Sequence, residues 1–351
     1  MAGTLSKELC VYRYGEYLKH VNVLSNGAVI IGTNFSIDGF SEKPVRVITH
    51  AHADHVRDIE SSLKYSKHVV ASPITLDLIE ALSYVSRDLS PLLKSKGVPL
   101  AYHQEFSFNG DRLEFYKSDH IPGSAQVLVK LKNGDLKVGY TGDFKLTDKT
   151  DIMEGLDVLI TEATYGNPLQ VRSFKESIPQ ILVDLVVEGL AKYRRVYIYA
   201  YHGKMQEAMT ILRAGGIKSP FILPERVHKA TKILEEKYGF NYGRYYRERD
   251  PVNSKNGLIV FKHFNTAYNR RLDGSGLHIV LTGRFTKDPF VKVDDYTYVV
   301  SLSDHADFTD LIKYVELASP KLVVVDGSRS SNAEFLKAAL IERGFCTTVL
   351  P

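Results

Sequence analysis

The stretch that most constrains this 351-residue chain is Thr49-His50-Ala51-His52-Ala53-Asp54-His55, which directly follows the mostly apolar run Val45 to Ile48. A short β-branched run of that kind reads as a buried strand, and the cluster stands where the strand gives way to loop. Along an extended chain, alternation would send His50, His52 and Asp54 to one side and His55 to the other. Imidazoles and carboxylates are zinc-ligating groups, and twelve histidines spread over the chain would not gather three into six positions by chance. One tight loop would therefore offer ligands to two metal ions.

Other strand ends repeat the theme. The strand-like run Leu113 to Lys117 delivers Ser118-Asp119-His120-Ile121-Pro122-Gly123-Ser124. Gln126 to Leu131 and Leu136 to Thr141 read as a hairpin about Asn133-Gly134, and the second strand ends in Gly142-Asp143. Val158 to Thr161 ends in Glu162. Successive strand ends that each present a His, Asp or Glu imply one site at one edge of a sheet. Asp38, in the turn Ser36-Ile37-Asp38-Gly39, is suited to support the metal loop by hydrogen bonding.

From Leu169 the texture changes to helices and parallel-type strands. Val196 to Ala200 runs into Tyr201-His202-Gly203-Lys204 and a helical stretch, a junction where backbone N–H groups and Lys204 would hold a phosphate. Tyr242 to Arg249 interleaves aromatics with arginines, Arg247 and Arg249 among them, a composition apt for stacking on bases. Leu277 to Leu281 leads to Thr282-Gly283-Arg284, and Tyr296 to Leu302 leads to Ser303-Asp304-His305-Ala306-Asp307. Leu322 to Val325 ends in Asp326-Gly327.

The net charge of +4 becomes informative once divided. Between Leu169 and Val280, 19 Lys and Arg face 10 Asp and Glu, an excess of +9, so the remainder carries −5. An acidic body bearing metal ligands beside a basic middle segment fits a polyanion-binding surface. No apolar stretch approaches membrane-spanning length, and no signal-peptide core opens the chain. Cys10 and Cys346 lie far apart without metal spacing; they are read as packing residues in a reducing, cytoplasmic setting.

His50-Ala51-His52-Ala53-Asp54-His55, then His120, then Gly142-Asp143, in this order, resemble the signature of the metallo-β-lactamase fold. Glu162 after a strand, the Gly203-Lys204 element and Ser303-Asp304-His305-Ala306-Asp307 resemble its β-CASP nuclease branch. The resemblance runs from about residue 20 to the C-terminus. It implies an α/β fold, a four-layered αββα sandwich of residues 1–168 and 281–351, with a β-CASP cap of residues 169–280 inserted. The basic segment found from charge falls on that cap.

The resemblance further implies a zinc-dependent phosphodiesterase. His50, His52 and His120 would bind one zinc, Asp54 and His55 a second, and Asp143 would bridge them; Mn²⁺ or Mg²⁺ are the other candidate ions. A hydroxide between the metals would attack phosphorus, with Asp54 counted among the catalytic residues. His305, held by Glu162, resembles the branch's general acid. Lys204, Arg247, Arg249 and Arg284 are the expected substrate contacts. The chain departs from the pattern at Asp326, where RNA-processing members carry histidine and DNA-processing members valine; an aspartate there would still supply an oxygen ligand. The expected substrate is nucleic acid, DNA before RNA and in exonuclease mode. The alternatives are an RNA-processing enzyme of the same branch, a small-molecule metallo-hydrolase and a non-catalytic nucleic-acid-binding subunit.

Overall fold

The computed structural model describes residues 14–132, 136–251, 257–269 and 274–351. The chain divides into two compact units, one running to Val171 and resuming at His305, the other Arg172–Asp304.

In the first unit, short β-branched runs pair in chain order as a six-stranded sheet: β1 (Val21–Val23), β2 (Val29–Ile31), β3 (Phe35–Ile37), β4 (Val45–Ile48), β5 (His68–Ala71) and β6 (Gly97–Pro99). A second sheet holds β7 (Glu105–Phe108), β8 (Asp111–Lys117), β9 (Ala125–Leu131), β10 (Leu136–Tyr140) and β11 (Val158–Thr161). It is completed beyond β11 by β19 (Leu322–Asp326) and β20 (Thr347–Leu350). The turn at Asn133-Gly134 lies outside the described residues.

Period-two alternation turns Leu113, Phe115, Val127, Val129, Val138 and Tyr140 of the second sheet onto Val29, Ile31, Phe35, Val45 and Val47 of the first, forming the main core. The other face of the second sheet, with Leu159, Val323 and Val325, is covered by Leu311 and Val315 of α7 (Phe308–Ala318) and Leu336 and Leu340 of α8 (Ala333–Glu342). On the far side of the first sheet lie α1 (Ile59–Tyr65), α2 (Pro73–Ala81) and α3 (Ser90–Lys96), which bury Ile59, Leu63, Leu78, Ile79 and Leu93. These are the four layers of an αββα sandwich. Arg46 of β4 is wholly buried there, and desolvation lowers its pKa to about 10. It donates to Ser62 Oγ at 3.2 Å and to the carbonyls of His55 and Arg57 at 3.0 and 3.2 Å, fixing the chain that leaves the metal loop.

The second unit is built on a mainly parallel sheet. Its strands are β12 (Arg195–Ala200), β13 (Phe221–Leu223), β14 (Tyr245–Arg247), β15 (Leu258–His263), β16 (Gly276–Leu281), β17 (Phe290–Asp294) and β18 (Thr297–Val300), in the order β14-β13-β15-β12-β16-β18-β17. Its helices are α4 (Ile178–Lys192), α5 (Lys204–Ala214) and α6 (Glu225–Tyr238). Residues 281–304, expected with the first domain, complete this sheet instead, because β18 pairs with both β16 and β17. Among the described residues no helix is long and apolar enough to cross a membrane. Cys346 is buried; Cys10 lies outside the described residues.

Candidate metal centre

Strand direction gathers the site. β8 and β10 are both antiparallel to β9, and β10, β11 and β19 are mutually parallel, so four carboxyl ends meet at one edge of the second sheet. His120, Asp143, Glu162 and Asp326 lie at or just beyond those ends. The first sheet contributes the loop after β4, tied across by the Ala125 N–H, which donates to the Thr49 carbonyl at 2.9 Å. Asp119 and Gly142, which precede His120 and Asp143, both adopt left-handed backbone (φ 51° and 53°). At Gly142 a Cβ would also stand 3.1 Å from the Thr49 side chain, so glycine suits both the turn and the close approach.

The metal loop is a turn and not an extended segment. The N–H groups of His55 and Val56 both donate to the His52 carbonyl, at 3.1 and 3.0 Å. His55 therefore folds back beside His50, with ring centroids 4.0 Å apart, where simple alternation would have put them on opposite sides.

Asp38 organises that turn. Its Oδ1 accepts from the Thr49 N–H at 2.8 Å, and its Oδ2 accepts from Thr49 Oγ1 at 2.6 Å and from His55 Nδ1 at 2.8 Å. Because the Thr49 hydroxyl proton goes to Asp38, its lone pair accepts from His50 Nδ1 at 3.0 Å. One carboxylate thus sets the ring orientation of two histidines and turns both Nε2 atoms toward the cluster.

His50 Nε2 and His120 Nε2 each stand 3.0 Å from His52 Nδ1. With an Asp143 oxygen, these atoms all lie within 4.8 Å of one another. Nitrogens on a tetrahedral zinc are about 3.3 Å apart, given Zn–N bonds of about 2.0–2.1 Å, so the spacing fits a metal. Burial, followed by the neighbouring imidazoles, holds His50 well below the ordinary histidine range, leaving a neutral imidazole of the kind a metal needs. Next to it, His55 Nε2 is buried without a hydrogen-bond partner, although Asp143 Oδ2 and Asp54 Oδ2 come to 3.2 and 3.3 Å. A buried ring nitrogen between two carboxylates, bonded to neither, fits a cation position shared among them.

Asp326, expected as a ligand, has its oxygens otherwise engaged: Oδ1 accepts from the Ser328 N–H and hydroxyl, and Oδ2 lies 3.3 Å from Arg329 Nη1. Burial raises its carboxyl above the usual range. The sequence marks Arg329 only as an arginine three positions after a strand-end aspartate.

Glu162 is positioned by the Phe144 N–H, which donates to Oε1 at 2.9 Å. Both its oxygens lie 3.3 Å from His305 Nδ1, and the His305 ring centroid is 4.7 Å from that of His120. His305 sits three residues before the start of α7, which Asp307 caps by accepting from the Asp310 N–H. The imidazole is thereby anchored by a helix end and oriented by a carboxylate.

In the second unit, Lys204, Arg247 and Arg284 sit at or just past the carboxyl ends of β12, β14 and β16, the edge where parallel sheets present ligand sites. Their partners were invisible in the sequence. Lys204 is buried with its ammonium 2.9 Å from Asp304, Arg247 pairs with Asp250 at 3.0 Å, and exposed Arg249 pairs with Glu225 at 3.1 Å. Tyr242 is buried and the Tyr245 hydroxyl donates to Glu235 at 2.8 Å, so these two rings pack inside the unit. Arg284 is exposed.

Convergent imidazoles and a shared carboxylate at a sheet edge, in an αββα sandwich, are the equipment of a metal-dependent hydrolase. Residues 43–219 match the family described as the β-lactamase superfamily domain. The chain belongs to that superfamily, in its β-CASP nuclease branch. Over 372 residues it is 25% identical to a protein named Probable RNase MJ4 from Methanocaldococcus jannaschii, covering 85% of this chain and 84% of that one. It is 22% identical to the DNA cross-link repair protein SNM1 of Arabidopsis thaliana, covering 84% and 64%. It is 25% identical to a protein named Probable DNA ligase from Opitutus terrae, covering 86% of this chain and 28% of that longer one. A solved structure of a protein of unknown function from Enterococcus faecalis shares the fold, with a TM-score of 0.59 at 17% identity over 89% of this chain and 80% of that one. The fold implies a bound divalent metal, and the His and Asp groups fit one.

Proposed function

We propose that this protein is a zinc-dependent nuclease that hydrolyses phosphodiester bonds of nucleic acid in the cytoplasm, with DNA the preferred substrate. The observation that carries the reading is the pairing of the His50–His52–His120–Asp143 cluster with a carboxylate-held imidazole, Glu162–His305, whose ring lies beside that of His120. His50, His52 and His120 with Asp143 would hold the first zinc, and Asp54 and His55 with Asp143 would offer a second position. Bound metal supplies a water acidified enough to attack phosphorus and neutralises the charge that develops there. The protein's own part is to aim the ligands through Asp38, to keep His50 neutral by burial, and to present the His305 proton to the leaving oxygen. Arg284, with Arg247, Arg249 and Lys204, would engage backbone phosphates.

Support for DNA comes from the match that spans most of this chain within a protein named a DNA ligase, and from the repair-protein relative. An end-trimming hydrolase would supply a ligase with joinable ends. The RNA reading has its own observation, the match over most of both chains to the protein named an RNase. Labelled DNA and RNA of one sequence, single- and double-stranded and marked at either end, separate them. Faster shortening of DNA from an end is expected. Cleavage of RNA alone overturns the DNA preference, and metal-independent or absent cleavage of both overturns the nuclease reading.

A further inference from the structure

We infer that Arg329 is a resident cation at the second metal position, so that the chain takes one divalent ion tightly on His50, His52, His120 and Asp143 and a second only weakly on Asp54, His55 and Asp143. This rests on the metal-dependent reading above. The guanidinium is fixed from three sides: Nη2 donates to the Asp38 carbonyl at 2.7 Å, Nη1 lies 3.3 Å from Asp326, and Nε lies 3.8 Å from Asp54 Oδ2. Gly27 clears its place, since a Cβ there would stand 2.6 Å from Nη2. The carboxylates that would draw in a second ion thus already face a permanent positive charge, one a deprotonation cannot remove.

Two effects push the same way. Asp326 is withheld from metal by Ser328 and Arg329, which removes a potential ligand. A guanidinium within a few Å of an arriving dication repels it, and in a partly buried site that repulsion is only weakly screened. Among the described residues, no group of three ligand atoms lying within 4.8 Å of one another includes Asp54, His55 or Asp326, whereas the first position has four.

The test is a zinc titration of the full chain after chelator stripping, by calorimetry and by equilibrium dialysis with elemental analysis. Wild type should show two steps at least tenfold apart in affinity. Arg329→Gln, which keeps a donor for the Asp38 carbonyl and loses the charge, should tighten the second step at least fivefold and leave the first unchanged. Arg329→Lys should leave the second step weak. Asp326→His, which adds a ligand that a guanidinium does not engage, should also tighten it, and it decides the matter should Arg329→Gln fail to fold. Two equal steps in wild type, or a second step that Arg329→Gln leaves unchanged or weakens, overturns the inference. Loss of even the first step would instead overturn the metal reading itself.

Discussion

His305 and His50 are imidazoles of one cluster, yet their surroundings suit them to the opposite tasks proposed for them. Burial keeps His50 neutral, as a metal ligand must be, whereas both Glu162 oxygens stand 3.3 Å from His305 Nδ1 and orient that ring. His305→Ala should therefore lose about 10²–10⁴-fold in turnover while retaining metal, the usual range for general acid catalysis. A nitrophenyl phosphodiester, whose leaving group needs no proton, should restore most of that loss. Loss of metal from His305→Ala, or no rescue, would reassign it as a ligand or structural residue. His50→Ala should lose metal and activity together, with no rescue. His55 offers a separate handle in the metal-free protein. Burial alone would depress it, but Asp143 and Asp38 outweigh burial and raise it well above the ordinary value of about 6.5. A raised folded pKa gives stability that is complete below about pH 6.5 and is lost as pH climbs through the raised value. Chelated wild type should accordingly melt at lower temperature from pH 6.5 to 9, and His55→Gln should flatten that slope. Parallel slopes would show that His55 is not the titrating group.

At the scale of elements, the strand ends that carry a His, Asp or Glu were legible because each motif is local: a β-branched run, then an imidazole or a carboxylate. The loop after β4 was legible as a gathering of imidazoles but not as a turn, since its tightness depends on bonds to the His52 carbonyl that no periodicity reports. Arg329 was not legible at all, because its place is defined by Gly27, Asp38, Asp54 and Asp326, positions dispersed over 300 residues of chain. The basic excess of residues 169–280 was countable, but the pairing of Arg247 with Asp250 and of Arg249 with Glu225 was not. That pairing sharpens a prediction. Lys204→Ala would leave Asp304 buried opposite a missing charge, a loss of about 3–5 kcal/mol for a broken buried pair, so it should show first as a lower melting temperature. Arg249→Ala with Arg284→Ala should weaken nucleic-acid binding and reduce the slope of log K against log salt, leaving metal content untouched. An unchanged slope would mean that this edge carries no phosphate contact.

For the molecule as a whole, the metal centre sits where the two sheets of the sandwich meet, so its occupancy is coupled to folding. An ion that binds only the folded state raises stability by RT ln(1 + [L]/Kd), about 2.7 kcal/mol at a hundredfold excess over Kd. Melting temperature should fall on chelation and rise with zinc in a concentration-dependent way, and His50→Ala should respond to neither. A melting temperature indifferent to zinc in wild type would place the centre outside the folding equilibrium. The Asp38 carboxylate adds a kinetic side to this coupling. Its bonds to Thr49 and His55, and through Thr49 to His50, need no ion, so the rings are immobilised when the chain folds. Ordering a side chain at the moment of binding costs about 0.5–1.5 kcal/mol each, and here that cost belongs to folding instead. Capture of the ion then requires no search among loop conformations. Its speed should then be set by how quickly the ion sheds water, with the rings held beforehand as a rigid socket and not as a closing hand.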